Sequence, residues 1–342
     1  MTFERMVQLV RMLTDAPGSS GEESCAAEFA AGLLQKMGKV SVSPLGSVEC
    51  VLKAGREGAP CILLEAHLDQ IGLSVTRVES NGFLRVTQVG GIDRRLLPAS
   101  RVRIYTDTGV YPGVVAVPAN TAADTEKVPE LSEFFVDTGI PAEGARELFT
   151  PGDRVLFEQN FRLLGKDTVV SRALDDRICC AAVLAAAEDI SQMDVSCRVV
   201  VLLSSQEETG GAGAETSAFR IQPDFALVSD VSFGDGYGLE EHECGKMGGG
   251  PMIGIAPILN KKTTAHLRRI AAAHQIPVQL EVMGGRTGTD ADSIACSGTG
   301  VRTALLSIPQ RSMHTPVETC RISDTLHTAR LMAEFVREVD TL

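Results

Sequence analysis

The chain contains no tryptophan and only 3 tyrosines, and aromatic residues make up 4% of its 342 residues. Proteins that bind single-stranded nucleic acid stack the bases on aromatic side chains, so this scarcity argues against such a role. The formal net charge of −12 points the same way, because a strongly negative protein repels the phosphates of nucleic acids and anionic membranes. We therefore expect no nucleic acid and no membrane among its partners.

Paired cysteine motifs and long apolar runs are also missing. None of the 9 cysteines belongs to a C-x-x-C pair, which argues against zinc-knuckle and thioredoxin-like motifs. No apolar run reaches the roughly 18 residues of a transmembrane helix, and the N-terminal segment has the spacing of an amphipathic helix instead of a signal peptide. Isolated cysteines in apolar segments are typical of a reducing compartment, so a cytoplasmic location is expected.

The pattern of predicted elements changes twice along the chain. Residues 71–161 contain short strands and turns, with one possible helix at 141–148, which indicates a small β-barrel or sandwich. Before and after this segment, strands alternate with amphipathic helices, as in an α/β sheet with helices on both faces. We predict an α/β domain formed by residues 1–70 and 162–342, with a β-rich domain inserted at 71–161.

Acidic residues and histidines stand at the carboxyl ends of several predicted core strands. Each one alone is ordinary, because acids often cap helices and a lone histidine is more often structural than a ligand. Ligands of open α/β sheets bind outside the carboxyl ends of the strands, so we expect these side chains to meet at one edge. They are His67, Asp69, Asp175, Asp176, Glu207, Glu208, Asp230 and His314.

This set of residue types has a chemical meaning. Two histidines and at least three carboxylates, without cysteine, suit two divalent cations such as Zn²⁺ or Co²⁺. Two metals about 3.5–4 Å apart need a bridging carboxylate and a general base that is not itself a ligand. We therefore predict that one of the adjacent glutamates, Glu207 and Glu208, is a ligand and the other is the base. For an isolated pair of glutamates, a solvated turn would be the ordinary interpretation.

The order of the motifs is specific. H-x-D, A-L-D-D-R, Q-E-E, S-D-V and R-S-M-H-T-P-V-E follow one another along the chain. This order resembles the M42 family of dinuclear metallo-aminopeptidases, which includes glutamyl and deblocking aminopeptidases and members labelled endoglucanase. DAPGSSGEE and GGRTGTDADSIACSGTGV are similar to further family segments, so the resemblance covers nearly the whole chain. It implies a mixed-sheet α/β/α metallopeptidase domain with an inserted small β-barrel domain.

The resemblance also implies a role for each site residue. Two ligand sets share Asp175 as the bridge: His67, Asp175 and Asp230 for one ion, and Asp175, Glu208 and His314 for the other. The catalytic residues would be Glu207, as general base and acid, and Asp69, which would accept a hydrogen bond from the far nitrogen of His67. Asp176 would follow Asp175 without contacting the metals.

The implied activity is the removal of N-terminal residues from short peptides through a metal-bridged hydroxide. Glu207 would take a proton from the attacking water and return it to the leaving amine. The substrates would be short peptides with a free N-terminus. The resemblance further implies a homo-oligomer, in which dimers built through the inserted domain assemble into a hollow dodecamer.

Three positions depart from the family pattern without removing a ligand. They are Gln70, where Glu is usual, Ala212, where Arg is common, and Asp292, where a small residue is common. These departures bear on substrate preference or on the packing around the base. Two alternatives stay open. An N-acyl deacylase with the same dinuclear site would not require a free amine, and a catalytically inactive assembly protein would not bind two metals. A glycosidase fits poorly, because its two catalytic carboxylates must be free of metal.

Overall fold

The computed structural model describes residues 1–118, 128–236 and 238–339. Within the predicted inserted domain, residues 119–127 lie outside the described part, as do 237 and 340–342 of the predicted α/β domain. The helices are α1 (Phe3–Asp15), α2 (Ser24–Leu34), α3 (Ala142–Leu148), α4 (Leu174–Ser191), α5 (Ala212–Ile221), α6 (Lys261–Ala273), α7 (Asp290–Ala295) and α8 (Ile322–Arg337).

The strands belong to two separate sheets. They are β1 (Lys39–Val42), β2 (Val48–Lys53), β3 (Cys61–His67), β4 (Gly72–Val78), β5 (Leu84–Val89), β6 (Arg101–Thr106), β7 (Gly109–Ala116), β8 (Phe135–Asp137), β9 (Arg154–Phe157), β10 (Arg162–Leu164), β11 (Thr168–Ser171), β12 (Arg198–Ser204), β13 (Phe225–Phe233), β14 (Met252–Ile255), β15 (Gln279–Val282), β16 (Arg302–Arg311) and β17 (Glu318–Arg321).

The larger sheet has 11 strands and is mixed. Its order is β1-β2-β12-β3-β13-β16-β17-β11-β10. In addition, β14 pairs with β16, and β15 pairs with β14. The central strands β12, β3, β13 and β16 run parallel, whereas β2 and β17 pair antiparallel with their inner neighbours. The carboxyl ends of the parallel strands therefore meet at one edge. This arrangement confirms the predicted mixed-sheet α/β/α domain.

Successive side chains of the central strands pack alternately into two cores, because helices cover both faces of the sheet. On β3, Ile62 and Leu64 pack into the core formed with α1, α4 and α8, whereas Leu63 packs with α5 and α7. On β12, Val201 joins the first core and Val200 the second. Full burial of each such side chain stabilises the fold by about 1.5–3 kcal/mol. The apolar runs of these strands therefore reflect two-sided burial.

The sequence pattern does not predict α5 and α7, the two helices that pack on the sheet face opposite α1, α4 and α8. Both are short, and α5 begins directly after Gly210 and Gly211, so its helical character comes from packing more than from propensity. Glycine is required within α5 as well, since a Cβ on Gly213 would collide with the Ser205 carbonyl. Close packing onto the sheet explains why this helix has a glycine-rich sequence.

Six strands close into a separate antiparallel barrel in the order β4-β5-β8-β7-β6-β9, with β9 pairing back to β4. The barrel lies between β3 and β10 in the sequence, and it has its own core, which includes Leu73, Val75, Phe134 and Val136. The predicted helix at 141–148 is present as α3. The structure thus confirms an inserted small β-barrel.

None of the described helices combines the length and apolar character that crossing a bilayer requires. All 9 cysteines fall within the described residues, none of them forms a disulfide, and most of them are buried. The buried cysteines behave as small apolar side chains, as expected from their sequence context.

Candidate metal centre and active site

Two neighbouring parallel strands carry one side of the site. His67 is the last residue of β3, and Asp230 lies within β13. In this strand pair Glu65 is opposite Val228, so His67 and Asp230 stand at equivalent positions farther along the two strands. The Nε2 of His67 lies 3.8 Å from Asp230 Oδ1. Asp230 is therefore not at the very end of its strand, as the sequence suggests, but inside it.

Asp175 stands between two imidazole rings. Its Oδ1 lies 3.0 Å from His67 Nε2, and its Oδ2 lies 3.3 Å from His314 Nε2. On the His314 side, Glu208 Oε2 is 3.4 Å from the same Nε2. Asp175 and Asp176 have non-helical backbone angles at the start of α4 and are joined by a cis peptide bond. All metal ligands implied by the resemblance thus come together.

Two groups of side chains could hold a cation, with ligand atoms within 4.8 Å of one another: His67, Asp175 and Glu208, and His67, Asp176 and Asp230. Asp176 is the addition to the implied ligand set. Its Oδ2 accepts the backbone N–H of His67 at 3.2 Å, and its Oδ1 is buried without a hydrogen-bond partner. The geometry therefore adds Asp176 as a candidate ligand.

The carboxylates of the site are crowded as well as buried. Burial, followed by repulsion from Asp175, raises the pKa of Glu208 to about 11. Burial also raises the pKa of Glu207 to about 8. At Asp175 burial acts in the same direction, but hydrogen bonds from His314 and His67 outweigh it and lower the pKa. Asp175 is therefore ionised, whereas its neighbours are held partly protonated.

The donor set fits divalent cations. In the described part of the chain, the ion pairs of these carboxylates are formed with His67 and His314, and lysine or arginine takes no part in them. Oε1 of Glu208 is buried without a hydrogen-bond partner, and burial raises the pKa of Asp230 well above its usual range. Bound cations would supply both the positive charge and the missing partner.

Asp69 makes more contacts than its motif indicates. Its Oδ1 lies 3.3 Å from His67 Nδ1, as the resemblance implies. The same carboxylate accepts the backbone N–H groups of Glu207 at 3.0 Å and Glu208 at 3.1 Å. The sequence contains no signal for these two bonds, because the loop after β3 and the loop after β12 meet only in the folded sheet.

The turn that carries Glu207 is also held by the N-terminal segment. Oε1 of Glu23 accepts the backbone N–H of Gln206 at 3.2 Å, and Ser20 Oγ lies 2.8 Å from Thr209 Oγ1. Burial raises the pKa of Glu23 to about 7. The DAPGSSGEE segment resembles a family signature, but its spacing gives no sign of these contacts, because they form only when the N-terminal segment packs against the turn after β12.

The barrel borders the site through the loop that follows β5. A Cβ placed on Gly91 would lie 3.1 Å from His314 Nδ1, and one on Gly90 would lie 3.2 Å from Glu208 Oε2. The backbone of this loop therefore packs directly against two predicted ligands. Because the contact joins the two domains, local sequence spacing does not reveal it.

The three residues that depart from the family pattern lie outside the predicted ligand set. Asp292 accepts hydrogen bonds from the backbone N–H and hydroxyl of Thr287, both at 2.9 Å, and so braces its own loop. Gln70 is buried, and its backbone N–H donates to the Gly18 carbonyl at 3.0 Å. Ala212 is the first residue of α5. The hydrogen bonds described for these residues do not join them to a predicted ligand.

Comparison with known proteins supports the same family. The model described as M42 glutamyl aminopeptidase matches residues 46–331. The lysyl aminopeptidase of Pyrococcus furiosus is 31% identical over 97% of each chain.

Solved structures are similar as well. An aminopeptidase from the archaeon Desulfurococcus kamchatkensis has a TM-score of 0.92 and 33% identity, covering 98% of this chain and 95% of that one. The TET1 peptidase of Pyrococcus horikoshii, which can assemble into a tetrahedron or a large octahedral shell, has a TM-score of 0.86 and 30% identity, covering 97% and 99%. With the mixed sheet, the inserted barrel and the clustered motifs in agreement, the chain belongs to the M42 family of aminopeptidases and is a peptide hydrolase.

Proposed function

We propose that this chain is a dinuclear metal-dependent aminopeptidase that removes N-terminal residues from short peptides. The observation that carries this proposal is the position of Asp175, whose two oxygens lie 3.0 Å from His67 and 3.3 Å from His314. A carboxylate with one oxygen toward each of two imidazoles suits the bridging ligand that a pair of neighbouring cations needs. Membership of an aminopeptidase family supports the reaction type.

We assign the ligands of two divalent ions, Zn²⁺ or Co²⁺, as follows: His67, Asp175 and Asp230 for one ion, and Asp175, Glu208 and His314 for the other. Both sets combine imidazole nitrogen with carboxylate oxygen, which suits either metal. Asp176 is the alternative ligand beside His67 and Asp230, because the buried Oδ1 of its side chain has no hydrogen-bond partner.

When bound, the ions lower the pKa of a water molecule and polarise the carbonyl of the scissile peptide bond. The chain itself supplies the proton transfers through Glu207. Its Oε2 lies 3.9 Å from His67 Nε2, yet Glu207 belongs to neither of the groups that could hold a cation. Without bound ions, burial raises its pKa to about 8, so its carboxylate is more basic than an exposed one and suited to accepting a proton. It takes the proton of the attacking water and delivers it to the nitrogen of the leaving amine.

Asp69 orients both a ligand and the base. Its carboxylate lies beside His67 Nδ1, which leaves Nε2 to face the metal. Its bonds to the backbone of Glu207 and Glu208 fix where the base stands relative to that ligand. Proton transfer depends on this separation, since an acid or base must be within hydrogen-bond reach of its partner.

The preference for a free N-terminus follows from charge. Carboxylates dominate the site, and they attract the positive α-amino group of a peptide. With that group bound among the acidic residues, the first peptide bond lies next to Glu207. An internal segment of a chain has no such charge, so cleavage is restricted to the first residue of short peptides.

We also propose that residues 71–161 form a domain through which two chains dimerise, and that the dimers assemble into a hollow dodecamer. The tetrahedral assembly of the related TET1 peptidase supports this, since one dimer on each edge of a tetrahedron gives a dodecamer. The cavity would admit short peptides and exclude folded proteins. Light scattering coupled to size exclusion tests the assembly, and a monomer at all concentrations would contradict it.

The proposed location is the cytoplasm. None of the 9 cysteines forms a disulfide, and most are buried, which suits a reducing compartment. Cell fractionation with an antibody to the chain checks this location. Recovery from an extracellular fraction would contradict it.

The experiment that tests the function is a release assay on metal-stripped protein refilled with Zn²⁺ or Co²⁺. The substrates are a panel of aminoacyl-p-nitroanilides and their N-acetylated counterparts. Metal-dependent cleavage of the free-amine substrates alone is the expected result, and the panel then identifies the preferred first residue. The Glu207→Gln variant, purified in the same way, controls for contaminating peptidases.

Two other results would replace the proposal. Cleavage of the acetylated substrates alone would identify an N-acyl deacylase that uses the same site. A protein that binds fewer than two ions per chain and cleaves neither series would be an inactive assembly protein of this fold.

A further inference from the structure

Glu318 is a buried carboxylate to which the proposed reaction assigns no task. It is the first residue of β17, and its side chain is 1% exposed. The described ion pairs do not provide it with a lysine or arginine. A buried carboxylate is costly unless hydrogen bonds satisfy its oxygens, so its contacts indicate what it stabilises.

Both oxygens of Glu318 accept backbone N–H groups from predicted metal ligands. Oε2 accepts the N–H of Asp175 at 3.0 Å, and Oε1 accepts the N–H of His314 at 3.0 Å. Asp175 lies in the first turn of α4, whereas His314 lies in the loop between β16 and β17. One side chain therefore joins two segments that are far apart in sequence and that carry neighbouring ligands.

The backbone of these segments needs such support. His314 has φ of 59°, and Ala173, which precedes the Asp175 turn, has φ of 55°. Left-handed backbone is unfavourable for residues other than glycine and persists where surrounding contacts hold it. Among the described residues, no strand ladder runs through Asp175 or His314, and the bonds to Glu318 tie the two backbones together.

Similar contacts occur elsewhere in the site. Asp69 accepts the N–H groups of Glu207 and Glu208, and Asp176 accepts that of His67. Buried carboxylates thus hold the backbone of several predicted ligands. Glu318 provides this contact for the pair that faces the second ion.

We propose that Glu318 is a positioning residue that sets the separation of Asp175 and His314 and thereby determines the affinity for the ion held by Asp175, Glu208 and His314. This inference rests on the proposed dinuclear function. Loss of a residue that orients metal ligands typically lowers metal affinity by about 10- to 100-fold. The ion held by His67 and Asp230 shares only Asp175 with this pair, so its affinity falls less.

The first test is calorimetric titration of Zn²⁺ into the metal-stripped full chain. Glu318→Ala removes both acceptors and should weaken one of the two binding steps by about 10- to 100-fold and the other step less. Glu318→Gln keeps one acceptor oxygen, whereas its NH₂ group cannot accept the second N–H, so it should have an intermediate effect. Wild-type affinity for both ions in both variants would overturn the proposal.

Asp324 provides a matched control within the same protein. It is fully buried on α8 and accepts the backbone N–H groups of Gly248 at 2.7 Å and Gly250 at 2.8 Å. Asp324→Ala therefore removes a carboxylate of the same kind away from the ligands. It should lower stability while leaving both Zn²⁺ affinities unchanged, and an equal loss of affinity would mean that the Glu318 effect is only general destabilisation.

Hydrogen exchange of the metal-free protein separates this inference from the proposed function. Glu318→Ala should lose amide protection at residues 172–177 and 312–317, and Asp324→Ala should lose it at 246–251. Unchanged protection at Asp175 and His314 would overturn the positioning role. If wild-type protein bound fewer than two ions, the dinuclear function would fail, while the exchange data would still show whether Glu318 holds these backbones. If Glu318→Ala does not fold, Glu318→Gln serves for both measurements.

Discussion

The two sides of the site are built in different ways. On the strand side, His67 and Asp230 lie on neighbouring parallel strands, and both are almost completely buried. On the loop side, Glu208 follows the end of β12, and His314 lies beyond β16 with its side chain 36% exposed. Asp175 connects the two sides through its two oxygens.

This difference shows how a fold can define one part of a site more firmly than another. His67 and Asp230 stand two residues beyond the last pair of the β3–β13 ladder, and each is also paired with its other neighbouring strand, so the sheet sets their separation as soon as it forms. The loop side has no ladder at its ligands, and a few bonds from buried carboxylates hold it instead. Substitutions near the loops should therefore affect metal binding before they affect the fold.

The largest effect is expected at Glu207, which stands between the two sides. Glu207→Gln keeps the size of the side chain but removes the proton carrier, so kcat should fall by about 10²- to 10⁴-fold. Metal content should stay at the wild-type level, since Glu207 is not assigned as a ligand. Elemental analysis of the samples used for kinetics checks this, and loss of metal would show that Glu207 shares the ligand role.

Removing one histidine from each side compares the two directly. His314→Ala should lose the loop-side ion and keep the strand-side one, because the strand pairs that position His67 and Asp230 are untouched. His67→Ala should weaken both ions, since His67 Nε2 lies within 4 Å of Asp175, Glu207 and Asp230 alike. Native mass spectrometry at limiting Zn²⁺ counts the ions per chain. Identical counts for the two variants would remove the distinction between the sides.

The stability of the metal-stripped protein should depend on pH. Burial raises the pKa of Glu207 to about 8 and that of Glu23 to about 7, from an ordinary value of 4.5. Such a group contributes stability below its unfolded pKa and loses it as the pH rises through its folded pKa. The free energy of unfolding should fall between pH 4.5 and pH 8, by on the order of 4 kcal/mol for Glu207 alone.

Urea unfolding across this pH range, with and without Zn²⁺, measures the effect. Bound cations favour ionised carboxylates, so the metal-loaded protein should show a flatter profile. Glu207→Gln should flatten the profile of the stripped protein as well. A stripped protein that becomes more stable as the pH rises through this range would contradict the prediction.

Asp69 acts on both sides, so its replacement should affect both ions. Asp69→Asn removes the contact with His67 Nδ1 and weakens the bonds to the Glu207 and Glu208 backbone, and metal affinity should fall by about 10- to 100-fold. Asp153→Asn is a control, because Asp153 accepts the Thr150 N–H at 2.8 Å within the barrel. Chelator competition reports each affinity, and a loss confined to one ion would show that Asp69 acts on one side only.

The smallest effect is expected where the barrel touches the loop side. Gly91→Ala places a Cβ 3.1 Å from His314 Nδ1, which requires a shift of a few tenths of an ångström. We expect the affinity for the loop-side ion to fall by less than about 10-fold, given the 10- to 100-fold loss typical of orienting residues. Gly285→Ala, whose Cβ would meet nothing within 4 Å, is the matched control. An unchanged affinity would mean that the loop moves to accommodate the new Cβ and leaves the His314 imidazole in place.

Much of the architecture could be predicted from local pattern. The alternation of strands and helices after Asp175 indicated the sheet, and the short strands of residues 71–161 indicated the barrel. The helices α5 and α7 were missed because six to ten residues rich in small side chains carry little helical signal before they pack on the sheet. Asp230 was expected at a strand end but lies within β13, since strand boundaries depend on the neighbouring ladder.

The proposed chemistry of the site could be predicted from residue types alone. The residue types and their order indicated carboxylate and imidazole ligands, and Glu207 beside Glu208 suggested a base next to a ligand. The groups that hold these residues in place are visible in the folded chain alone: Asp69 bonded to the Glu207 backbone, Glu318 between Asp175 and His314, and the barrel loop against His314. Hydrogen bonds between distant segments depend on strand order and loop path, and local spacing encodes neither.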